Sequence, residues 1–220
     1  MHDRRPAHTG AMSPLTDYEE RLVVLFTGIV LGRWEDVRAV RKEAPAGEPD
    51  RGWREAVLQA HLFAGFPRVV EAFEVLDRVG GLGTPDPSEL DLAADSAAGQ
   101  KLFDRIYQDQ ADAVRDRLAE HHADFGRWIH EHAYARVLSR PGLDPHTREL
   151  LAVAALAATA QTRQLASHTR GALRCGATPA QIHAVLDVIE TRISYDALRA
   201  ARQVMLKYAP LDEESSSPDD

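Results

Sequence analysis

Residues 144–189 read DPHTRELLAVAALAATAQTRQLASHTRGALRCGATPAQIHAVLDVI, and helical punctuation is clearest here. Asp144-Pro145 sets a side-chain acceptor before a proline at the first helical position, where a missing N–H costs nothing. Gly176 follows the apolar run as a helix stop. Thr178-Pro179-Ala180-Gln181 is a capping box, again with proline in the first turn. The stretch predicts one helix carrying Glu149, Gln161, Gln164 and His168, a short turn through Leu173, and a further helix opening at Thr178. Gln161, Gln164 and His168 are three and four residues apart, so on a helix they share a face. A polar stripe in an alanine-rich helix either meets solvent or lines a site.

Outward from this stretch the same signals recur. Residues 1–15 form a polar, proline-containing leader expected to be mobile. Thr16 or Asp17 caps a helix carrying Leu22, Val23, Leu25, Phe26, Ile29 and Val30, with a break at Gly32 and Trp34. Asp50 is expected to cap a helix from Trp53 to Phe63, interrupted at Gly65-Phe66-Pro67 and resumed to Val79. Residues 80–87 are a linker by composition. A long helical region then carries Leu102, Phe103, Ile106 and Tyr107 on one face and continues to Phe125, Trp128, Ile129 and Tyr134. Its aromatic residues are expected to pack it against the core. Nothing alternates as a strand, so the fold class is all-α.

The formal net charge is −8, of which Asp212, Glu213, Glu214, Asp219 and Asp220 supply −5, in a tail (210–220) expected to be acidic and disordered. The acidic balance argues against nucleic acid and against an anionic membrane as partners. A single cysteine forbids an internal disulfide and suits a reducing compartment. No apolar run is long enough to span a bilayer and no signal-peptide core opens the chain, so a cytoplasmic protein is expected. His121-His122 and His130-Glu131-His132 lack the spacing of a metal site and are expected at the surface, with no metal and no cofactor implied.

A shift of 128 residues superposes the two halves without a gap. It sets Leu22 on Leu150, Ala56-Val57-Leu58 on Ala184-Val185-Leu186, Thr16 on Asp144 and Asp50 on Thr178. Caps fall on caps, which predicts a duplicated helical unit. The division is a first, degenerate repeat over 16–83, a linker helix region over 84–120, and a second repeat over 121–209.

The run YARVLSRPGLDPHTRELLAVAALAATAQTRQLASHTRGALRCGATPAQIHAVL (134–186) resembles the carboxymuconolactone decarboxylase and alkylhydroperoxidase-D superfamily, in its SRPGLD elbow, TRELL, alanine-rich helix, LxxHxRGAL and GAT. EAVLQAHLFAGFPRVVEAF (55–73) resembles that superfamily's apolar helix broken by a GFP turn. The resemblance implies a duplicated AhpD-like helical bundle, and a homotrimer in which six repeats imitate a ring. Peroxidatic members carry cysteines seven and four residues before the motif histidine and a glutamate nineteen before it. Counting back from His168 gives Gln161, Gln164 and Glu149, so the acid–base pair is kept and both sulfurs are gone. Thiol peroxidase chemistry needs an attacking thiolate and a resolving thiol, which glutamine cannot replace. Cys175, the lone sulfur, is expected to be a small buried residue.

Decarboxylation of a small lactone acid needs neither sulfur nor cofactor. His168 would be the acid–base group, Glu149 would fix its tautomer, Gln161 and Gln164 would donate to the oxyanion, and Arg68 or Arg163 would clamp a carboxylate. Gln164 departs from the decarboxylase pattern, which has a glutamate there. At the 128 shift Glu149, Gln161, Gln164 and His168 face Arg21, Arg33, Asp36 and Val40, while Gly65 to Arg68 face Ile193 to Asp196. One composite site per chain is therefore expected, its stripe from the second repeat and its wall (His61, Phe63, Phe66, Arg68) from the first. Two alternatives stand beside it: antioxidant activity as in the superfamily, and a non-catalytic ligand-binding oligomer. Arg140 and Arg148, flanking the elbow, serve either the fold or the substrate.

Overall fold

The computed structural model describes residues 13–211. The expected mobile leader up to residue 12 and the acidic tail from residue 212 lie outside the described residues, but Leu15, at the end of that leader, is buried. All regular structure among the described residues is helical. The first four helices are α1 (Asp17–Leu31), α2 (Trp34–Glu43), α3 (Asp50–Ala64) and α4 (Phe66–Asp77). A connecting region holds α5 (Ser96–Tyr107), α6 (Ala111–His121) and α7 (Ala123–Trp128), the last running straight into a π-helical segment, Ile129–Leu138. Then follow α8 (Pro145–Ala158), α9 (Thr162–Arg174), α10 (Pro179–Ile189) and α11 (Tyr195–Tyr208).

The caps explain where these helices start. Thr16 accepts the Glu19 N–H at 3.2 Å while the Glu19 carboxylate accepts the Thr16 N–H at 2.8 Å. Asp144, Thr178 and Ser194 accept N–H groups three residues on in the same manner. Asp50 does not cap α3. It is the first helical residue after Pro49, and its carboxylate is taken by Arg41 at 2.6 Å. The α1 helix ends on Gly32 at φ +69°, a left-handed position that glycine adopts without strain.

At the centre α1 and α8 pack against each other, and α3 and α10 pack on both. Leu22, Leu25, Phe26 and Ile29 of α1 and Leu150, Leu151 and Val153 of α8 are fully or almost fully buried, as is Trp53 of α3. Burying one such aliphatic side chain stabilises by about 1.5–3 kcal/mol. A buried polar cluster pins α3 to α8. Glu55 receives Arg148 and Arg140 at 2.9 Å each, and Arg148 also donates to Gln59 at 3.0 Å. Both elbow arginines therefore serve the fold.

Two expected helices are divided. The alanine-rich helix ends at Ala158, and Ala160 turns the chain at φ +55° before α9 opens at Thr162. Glu149 and His168 thus stand on different, packed helices. The long helix expected after the linker breaks at Gln108 (φ +49°) and at His122. Of its aromatic residues Tyr134 is buried at 4% exposure, but Phe125 and Trp128 are exposed.

Candidate active site

Glu149 projects from the first half of α8 and is 2% exposed; His168 projects from α9 with a side chain 16% exposed. His168 Nδ1 lies 3.0 Å from Glu149 Oε2. A carboxylate accepts only, so Nδ1 carries the proton toward it and Nε2 faces away, without a partner among the described residues. Burial works against the imidazolium, yet the charge of Glu149 and its hydrogen bond outweigh burial and raise the His168 pKa above its usual value. Close approach of α9 depends on Gly171. A Cβ there would sit 2.5 Å from Glu149 Oε2 and 3.1 Å from Ile106 Cγ2 of α5.

The first-half wall is assembled in part. Phe63 meets His168 edge-on, ring centroids 6.2 Å apart. His61 turns elsewhere: its Nε2 is 2.6 Å from His132 Nε2 on the π-helical segment, its Nδ1 contacts the Leu58 carbonyl, and the exposed Phe66 stacks on it at 4.9 Å. His132 is therefore paired with α3 and is not a free surface histidine. Arg68 lays its guanidinium over Gly32. Gln161 precedes α9 without a side-chain capping bond, and Gln161, Arg163 and Gln164 are all exposed. The break after Ala158 carries these residues to the solvent end of α9.

Cys175 ends α9, buried at 6% exposure, and burial together with the charge of Glu149 pushes its thiol up to about 11. A thiol so held carries little thiolate near neutrality. Two tyrosines that sequence reasoning left among core aromatics stand beside this cluster. Tyr134 donates to the Tyr107 hydroxyl at 3.4 Å, and burial chiefly, with the Glu149 charge adding, raises the pKa of both phenols. Tyr134 opens the family-like run, and Tyr107, 27 residues before it, carried no signal beyond its place on an apolar helix face. Among the described residues no three His, Cys, Asp or Glu side chains converge as a metal site.

Two surface cavities, of about 410 and 350 Å³, lie elsewhere. The larger opens between α1 and α2 against Val188 and Arg192, and the smaller is lined by Ser96, Gln100, Arg115, His130 and Glu131. Over the Glu149–His168 pair the groove between α8 and α9 is covered by α5, whose Ile106 reaches Gly171. Access to His168 is from its exposed edge.

Residues 123–207 match the carboxymuconolactone decarboxylase family. The chain is 28% identical to peroxisomal protein 2 of Schizosaccharomyces pombe over 59% of this chain and 62% of that protein. It is 36% identical to 4-carboxymuconolactone decarboxylase of Acinetobacter baylyi over 63 residues, 29% of this chain and 47% of that enzyme. It thus spans less than two thirds of either relative. No helix of the described residues is long and apolar enough to cross a membrane. The matched residues 123–207 hold both Glu149 and His168, so it is through its second half that the chain is similar to the carboxymuconolactone decarboxylase family.

Proposed function

We propose that the protein carries out cofactor-free acid–base chemistry, decarboxylation or a related proton transfer, on a small lactone or carboxylic acid in the cytoplasm. The observation that carries this reading is the 3.0 Å Glu149–His168 pair, buried on its carboxylate side and free at Nε2. Glu149 fixes the tautomer and favours the imidazolium, and His168 Nε2–H delivers the proton to carbon. Arg163, Gln161 and Gln164, exposed at the start of α9, meet the substrate carboxylate first, and Phe63 of the first half walls the imidazole. The decarboxylase named for the A. baylyi relative and the family match support the lyase reading. The high thiol pKa of Cys175 speaks against the peroxidase alternative.

The same reading takes the chain as a duplicated unit. The helices α8, α9, α10 and α11 open 128 or 129 residues after α1, α2, α3 and α4. The larger cavity, lined by Arg21, Asp36 and Val40, falls at the positions that match Glu149, Gln164 and His168, so the first repeat keeps a groove without the acid–base pair. A homotrimer follows from two repeats per chain, and single-repeat rings set the precedent. The test is release of carbon dioxide from 4-carboxymuconolactone, retained in Cys175→Ala and lost in His168→Ala. Peroxide consumption that vanished in Cys175→Ser would replace this reading with the thiol one.

A further inference from the structure

Beside the Glu149–His168 pair one hydroxyl proton is unassigned. The last turn of α5 sits over the carboxylate, because the Cβ that Gly171 lacks would touch both Glu149 Oε2 and Ile106 Cγ2. Tyr107, next in the chain, is half-buried, and its ring packs on Phe103 with centroids 4.5 Å apart. Its hydroxyl oxygen accepts from Tyr134 at 3.4 Å, a long contact, and its own proton has no acceptor among the described residues. A hydroxyl that receives a hydrogen bond becomes a better donor, more so away from water. Burial and the nearby carboxylate keep both phenols protonated. Gln161 and Gln164 lie in solvent, where water competes for any oxyanion they would bind.

We infer that Tyr107 donates the hydrogen bond that stabilises the enolate oxygen of the substrate, with Tyr134 as the residue that positions it. This rests on the decarboxylation reading above. The bond between carbon and carboxylate breaks, carbon dioxide leaves, and the electron pair moves into the conjugated lactone carbonyl. Tyr107 O–H holds the resulting oxyanion, and the imidazolium of His168 transfers its Nε2 proton to carbon, to be reprotonated from water.

The probe is tetronate, the planar enolate of a five-membered lactone, titrated calorimetrically into the full chain while carbon dioxide release from 4-carboxymuconolactone is followed in parallel. Tyr107→Phe should weaken tetronate binding roughly tenfold, as loss of a hydrogen bond to a charged group does. It should lower kcat about a hundredfold with KM little changed. Tyr134→Phe should weaken tetronate by about threefold. Both variants keep the ring, and unchanged urea midpoints would exclude a structural effect. Equal tetronate affinity in Tyr107→Phe and the unaltered chain, or no tetronate binding by the latter, overturns the assignment. Binding of tetronate through Tyr107 with no carbon dioxide released sinks the decarboxylation reading and leaves the tyrosine standing.

Discussion

Glu149 and His168 are nineteen residues apart in the chain and on separate helices, yet their Oε2 and Nδ1 atoms meet at 3.0 Å across the α8–α9 contact. The pair depends on the break after Ala158, which folds α9 back along α8. On one continuous helix, nineteen residues would separate them by about 28 Å.

A raised His168 pKa has a definite sign. The pair's contribution to folding stability is fully present below the ordinary imidazole value of about 6.5 and is lost as pH rises through the higher folded value. Since the imidazolium is the proton donor, turnover should fall through the same window. Glu149→Gln should move that limb to lower pH. Nitrogen-15 NMR titration of His168 checks the shift directly, and an unmoved midpoint in Glu149→Gln would contradict it.

Gly171→Ala should separate the pair, because the added methyl would sit 2.5 Å from Glu149 Oε2. The His168 midpoint should drop toward the ordinary value and turnover should fall about tenfold to a hundredfold, the range seen when a supporting contact of a reactive group is lost. Titration and kcat measured on the same sample decide this.

Removing Glu55 leaves Arg148 and its charge buried at 1% exposure without a carboxylate. Glu55→Ala should cost about 3–5 kcal/mol of stability. Urea unfolding measures it, and a loss within the scatter of surface substitutions would remove the structural role given to the elbow arginines.

The buried Cys175 should resist alkylation by iodoacetamide in the native protein and react only on unfolding in urea. Sedimentation should give a particle of three 24.3 kDa chains; a monomer would remove the trimer from the proposal.

The all-helical fold was legible because proline and capping side chains mark most helix starts, as at Thr16, Asp144 and Thr178. The turn at Ala160 was not. It carries neither glycine nor proline: an alanine at φ +55° takes the left-handed position that closes the helix, with the Gln161 N–H on the Leu156 carbonyl at 2.9 Å, where glycine is the usual signal. Glu149 and His168 were found by their family spacing. Tyr107 and Tyr134 were missed because Tyr107 sits on α5, which packs on α9, and Tyr134 on the π-helical segment packed on α5, and no local pattern announces which insertion lies beside a site. Gln161 and Gln164 were expected inward on a helix that, in fact, begins only after Gln161.

The most direct measurement is single-turnover release of carbon dioxide from 4-carboxymuconolactone by the unaltered chain and by His168→Ala. A loss of about a hundredfold to ten-thousandfold in the variant, the usual worth of a positioned acid–base group, is the expected result. Equal release by the two proteins would take His168 out of the chemistry and the proposed function with it.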